Sequence, residues 1–95
     1  MIRNVVVGRV RAGVPPETID AALAAIVALE PEGCTDLRVG RDLGLREGNW
    51  SFSITGDFVD EAAYRRYDED PEHNRIRREM FAPMSEEIVR IQFAV

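Results

Sequence analysis

A single cysteine, Cys34, in a chain of 95 residues excludes an internal disulfide and leaves nothing resembling a cysteine-rich zinc site. Lysine is missing altogether. All 12 basic residues are arginine, which reads as the coding bias of a GC-rich bacterial genome. Histidine occurs once, so any imidazole step near neutral pH must use His73. One histidine with scattered carboxylates forms no metal-ligand spacing, and no glycine-rich phosphate loop is present. No apolar run approaches the roughly 20 residues that a bilayer crossing needs. Met1-Ile2-Arg3-Asn4 leads straight into a valine-rich stretch with no signal-peptide core, so the expected location is cytoplasmic. Basic charge is in deficit, 12 residues against 17 acidic ones for a net −5, which argues against a general nucleic-acid binder.

What is present is an ordinary globular composition, 45% hydrophobic and 31% charged. The length suits one domain covering residues 1–95. A chain this short buries only roughly 60–65% of its unfolded surface. With neither disulfide nor metal to help, a second copy of the chain is the expected source of further burial, and a homodimer is predicted.

Residues 2–11 are rich in β-branched side chains and read as a strand. Ile2, Asn4, Val6, Gly8 and Val10 take one face, and Arg3, Val5, Val7, Arg9 and Arg11 the other. Both faces carry apolar groups. After a turn at Gly13-Val14-Pro15-Pro16, a helical stripe of Ile19, Ala22, Leu23, Ile26 and Leu29 runs to Pro31 and Gly33. Residues 35–43 alternate as a half-buried strand, and 44–49 form a polar loop. Residues 50–58 give the clearest strand, with Trp50, Phe52, Ile54 and Phe58 on one face. Asp60 can cap a second helix in which Ala63 and Tyr67 share a side. Asp70-Pro71 restarts it, placing His73, Ile76 and Met80 together, and Pro83 closes it. Residues 88–95 make a last strand. The order βαββαβ predicts an α+β fold of the ferredoxin-like plait, a four-stranded antiparallel sheet with both helices on one face. The other face then wants a cover.

Several phrases resemble the stress-responsive α/β-barrel family, often called Dabb. They are the opening M-I-R-x-V-V, the run Asp36-Leu37-Arg38-Val39-Gly40-Arg41-Asp42, the aromatic-rich 50–58 segment, and Tyr67-x-x-x-Pro71-x-His73. The resemblance implies a ferredoxin-like domain that dimerises sheet to sheet into an α/β barrel. Members of the olivetolic acid cyclase type are cofactor-free and close a polyketide ring by aldol chemistry. Their catalytic tyrosine corresponds to Tyr67 and their helix histidine to His73. Their first-strand histidine corresponds to Asn4, a departure, because asparagine can hold a carbonyl but cannot exchange a proton near neutral pH.

The candidate site follows. His73 would be a general base and Tyr67 a donor to a developing enolate oxygen. Asn4 would position a carbonyl, and Val6, Gly8, Phe52, Ile54, Ile76 and Met80 would line an apolar pocket. Each has a plainer reading: His73 tying down a helix start, Tyr67 packing with its hydroxyl satisfied, the apolar residues as core. The helix dipole favours a neutral His73 ring, while Asp70 and Glu72 favour the imidazolium. Tyr64 is a weaker candidate, its face less clearly inward. Arg65–Glu69 and Arg75–Glu79 are expected ion pairs. The cluster Arg75, Arg77 and Arg78 is either an anion site or a solvated face. Cys34 has no partner for nucleophile chemistry. Gly8, Gly40 and Gly56 suggest bulges or close backbone approach, and Gly8 and Gly56 could widen a pocket.

The expected function is a dimeric barrel whose cavity binds a small, largely apolar, aromatic or polyketide-like molecule. It would carry out cyclase or lyase chemistry with no cofactor and no metal. The alternatives are a non-catalytic stress-associated dimer with a filled core and a cofactor-free monooxygenase.

Overall fold

Alternation of side chains along β1 (Ile2–Val10) and β3 (Phe52–Phe58) organises the molecule, whose computed structural model describes residues 1–95. The remaining elements are α1 (Pro16–Ala28), β2 (Cys34–Arg41), α2 (Glu61–Glu69) and α3 (Pro71–Ile76). A π-helical turn (Arg77–Phe81), a short α4 (Ala82–Met84) and β4 (Ser85–Ala94) complete the chain. The strands lie in the order β2-β3-β1-β4, every neighbour antiparallel. This is the ferredoxin-like α+β plait expected from the element order, with β4 starting three residues earlier than its apolar run suggests.

The register between β1 and β3 pairs Gly8 with Phe52, Val6 with Ile54, Asn4 with Gly56 and Ile2 with Phe58. This row faces the helices. Phe52 and Ile54 bury against Ile19, Ala22, Leu23 and Ile26 of α1 and against Ile76, Phe81 and Met84. Phe58 packs separately with Ala63 and Tyr67 of α2. The opposite row pairs Val5 with Thr55 and Val7 with Ser53. On β4 it continues through Val89, Ile91 and Phe93, and no helix covers it. Ile91 is 59% exposed, and Val89 and Phe93 are also in solvent. Arg3 and Asp57 close one end of this stripe with a two-pronged ion pair at 2.8 and 3.0 Å.

Three sequence expectations are corrected here. Trp50 does not join Phe52 on the inner row, because the ladder of β3 begins only at Phe52. Its ring instead lies beneath the Arg9 guanidinium, 4.5 Å away, on the side of the uncovered face. Arg65 pairs with Glu61 one turn back rather than with Glu69. Met80 is only half-buried, whereas Phe81 is buried. The π turn inserts one residue into the helical repeat, so the inward position after Ile76 falls at Phe81 instead of Met80.

Candidate functional site

Two caps fix the histidine. Asp60 accepts a hydrogen bond from the Ala63 amide at 2.8 Å and starts α2. Asp70 accepts from the His73 amide at 2.9 Å and starts α3, with Pro71 in the first position, where no N–H is missed. The chain therefore turns sharply between the two helices, and the His73 ring comes back over the end of α2. Its Nδ1 lies 2.7 Å from the Tyr67 carbonyl oxygen. A carbonyl only accepts, so Nδ1 carries the proton, and in the neutral ring Nε2 keeps a free lone pair. The His73 and Tyr67 rings stack with centroids 4.0 Å apart and 21° between planes. Tyr67 leans in turn on Phe58 at 5.2 Å.

The competition over the charge of His73 is settled by burial, which pushes its pKa below 6.5. The hydrogen bond to Tyr67 opposes that shift, Arg77 reinforces it, and Asp68 and Asp70 oppose it more weakly. Glu72 is turned away, its carboxylate bound by Arg75, which also pairs with Glu79. Burial acts on Tyr67 as well, and its hydroxyl is pushed up to about 12. It is a proton donor at any ordinary pH.

A cavity of about 190 Å³ lies between the β1–β4 half of the sheet and the turn that follows α3. Val6, Ile54 and Ile88 form its sheet wall, and Ile26 and Phe81 its helical wall. His73, Tyr67 and Asn4 reach it from separate elements. Asn4 is only 4% exposed, and its Oδ1 accepts from Gln92 Nε2 at 2.8 Å. Its own Nδ2 has no protein partner and remains a donor. Tyr64, Arg77, Ala82 and Arg90 complete the lining at the more exposed side.

Of the residues singled out in the sequence, His73, Tyr67, Asn4, Val6 and Ile54 meet at this cavity, and Gly8, Phe52, Ile76 and Met80 do not. Gly8 does not widen it. The Phe52 ring fills the space above Gly8, where a Cβ would lie 2.0 Å from the ring, and then packs on Phe81 at 5.5 Å. Gly56 is likewise covered, by Cys34 and Leu37. Ile76 is buried in the core with α1. Met80 borders a groove on another side of the molecule, beside Arg11, Pro83 and Met84. Ile88, Arg90 and Gln92 also belong with this side of the sheet, and their spacing of two on a strand is the signal in the sequence that points to them. The arginine cluster expected at Arg75, Arg77 and Arg78 is separated in the structure: Arg77 lines the cavity, Arg75 is ion-paired outside and Arg78 is in solvent.

The profile of the family described as Stress responsive A/B Barrel Domain (Dabb) matches residues 2–95. A search of curated protein sequences finds no match. Among solved structures, a dimeric ferredoxin-like protein of unknown function from Thermobifida fusca YX is 29% identical with a TM-score of 0.89. That alignment covers 99% of this chain and 90% of the other. A Dabb family protein from Mesorhizobium loti MAFF303099 is 24% identical, TM-score 0.78, over 99% of this chain and 95% of the other. The hydroxynitrile lyase of Passiflora edulis is 21% identical, TM-score 0.83, over 99% and 92%. At the last two identities the likeness carries the fold alone.

Proposed function

The chain belongs to the stress-responsive α/β-barrel (Dabb) family, and on that premise we propose that it is a homodimer whose cavity binds a small, largely apolar carbonyl compound and removes a proton from it. His73 is the base. The observation that carries this reading is the hydrogen bond from Nδ1 to the Tyr67 carbonyl, which leaves the Nε2 lone pair of a neutral ring at the wall of an apolar cavity. A proton on the carbon next to the substrate carbonyl passes to Nε2, the electron pair of that C–H bond becomes the carbon–carbon double bond of the enolate, and the π pair of the C=O bond moves onto the oxygen. The Tyr67 hydroxyl and the Asn4 amide donate to the resulting enolate oxygen. The imidazolium then returns its proton, to carbon in simple exchange or, where the enolate carbon adds to a second carbonyl and breaks its π bond, to the alkoxide oxygen so formed. The chain's own groups suffice for these steps.

The cavity's size supports a ligand of about one ring, since an apolar cavity of about 150 Å³ in another protein takes up benzene. A core filled by side chains would leave no such space. The uncovered stripe of Val5, Val7, Val89, Ile91 and Phe93 supports the dimer, because a contiguous apolar face on a small protein marks a contact surface. The Thermobifida relative is itself described as dimeric.

Deuterium exchange tests the base. Acetophenone incubated with the protein in D2O should lose its methyl proton NMR signal faster than in buffer. His73→Ala should remove the acceleration, and Tyr67→Phe and Asn4→Leu should each reduce it about tenfold or more. An undiminished rate in His73→Ala would refute the assignment.

A further inference from the structure

Arg90 belongs to the inward row of β4, opposite Val6 and between Ile88 and Gln92. Edge strands often carry charge, yet this guanidinium lines an apolar cavity and makes no hydrogen bond or ion pair within the chain. Arg77 approaches the same cavity from the π turn. It donates from Nη2 to Asp68 at 2.6 Å and from Nη1 to Asn74 at 3.2 Å. A guanidinium has five N–H donors, so three of Arg77 remain unused, as do all five of Arg90. Tyr64 lines the same cavity, its ring held edge-on against Phe58 at 5.6 Å, its hydroxyl in the field of Asp68, Arg77, Arg90 and Arg65. Arg65 is already paired with Glu61, so the charge at this side is Arg77 and Arg90 against Asp68, a surplus of a single positive charge on a chain whose net charge is −5.

We infer that the ligand of this cavity is a small apolar carboxylic acid: its carboxylate is held by Arg90 and the free donors of Arg77, and its body lies against Val6, Ile54, Ile88 and Phe81. The inference rests on the cavity's being the binding site proposed above, and it adds the substrate class. A single surplus charge matches a monoanion, whereas a phosphate monoester would need a second free cation. The planar fork of arginine matches a carboxylate, and a charge-assisted pair at a partly exposed position carries less desolvation cost than one in the interior. The cavity volume of about 190 Å³ limits the body to about one ring or a short branched chain. With the acid group anchored on one side, a carbonyl further along the body comes to the Asn4 and His73 side.

Fluorine NMR titration with 4-fluorobenzoate and 4-fluorobenzamide separates the charge from the shape. The expected result is about tenfold or tighter binding of the benzoate at low salt, weakening as salt is raised. Arg90→Gln, an exposed substitution, should abolish that preference and leave the amide unchanged. Asp68→Asn should strengthen benzoate binding several-fold, a gain that no folding defect can imitate. Equal affinity for the two probes, or an unaltered preference in Arg90→Gln, overturns the carboxylate assignment while leaving the cavity as a binding site. Displacement of the benzoate by inorganic phosphate at lower concentration than by acetate overturns it in favour of a phosphate ligand. If neither probe perturbs the His73 ring signals, the cavity reading itself fails and this inference with it.

Discussion

His73 and Tyr67 stack against each other, and burial holds both in the uncharged form. For the histidine this has a definite thermodynamic sign. Its folded pKa lies below the unfolded value of about 6.5, so the unfolded chain binds the proton more readily. The stability it contributes is fully present above pH 6.5 and is lost as the pH falls through the folded value. Urea midpoints should drop between pH 7.5 and 5.5, and a His73→Phe variant should show a flatter dependence over that window. Proton abstraction should fall off on the same acid side, because only the neutral ring is a base. Gly8 gives a second test. A Cβ there meets the Phe52 ring, so Gly8→Ala should cost about 1–3 kcal/mol by overpacking, and Phe52→Leu in the same chain should recover part of it. A glycine inside a strand suggests a bulge or close backbone approach; that a ring fills the space at Gly8 was not readable, since it depends on the register that sets Gly8 opposite Phe52.

Among the elements, the stretch from α3 to α4 departs furthest from its sequence pattern. A repeat of 3.6 residues carries Ile76 to Met80, and the π turn carries it to Phe81. Truncation separates the two patterns. Phe81→Ala should cost about 3–5 kcal/mol, and Met80→Ala much less, both read from denaturant unfolding. Phe81→Ala should also enlarge the cavity, of which Phe81 is one wall. The caps were legible, because an aspartate before a helix and a proline after it act within one turn of chain: Asp60 and Asp70 each bond the predicted helix start. The π turn was not. It lets Arg77, Phe81 and Met84 all find inward or cavity positions, a compromise between packing partners far apart in sequence.

The whole molecule leaves one side of its sheet bare. Val5, Val7, Val89, Ile91 and Phe93 lie there in register, with Arg3–Asp57 at one end and the Arg9–Trp50 stack near the other. Sedimentation should give a particle of twice the 10.7 kDa chain. Ile91→Arg should shift it toward the single chain at micromolar concentration, by placing an unpaired charge in an apolar contact. Retention of the dimer by Ile91→Arg would place the contact elsewhere. No helix is long and apolar enough to cross a membrane.

Element order, the alternating faces of β1 and of β3 from Phe52 onward, and the helix caps were determined by the amino-acid sequence alone, because alternation and capping act over a few residues. The tertiary structure alone decided where the empty space lies. A cavity is what remains after side chains from eight elements have packed, so Phe52 and Ile76 became core while Arg77 and Arg90 came to its edge.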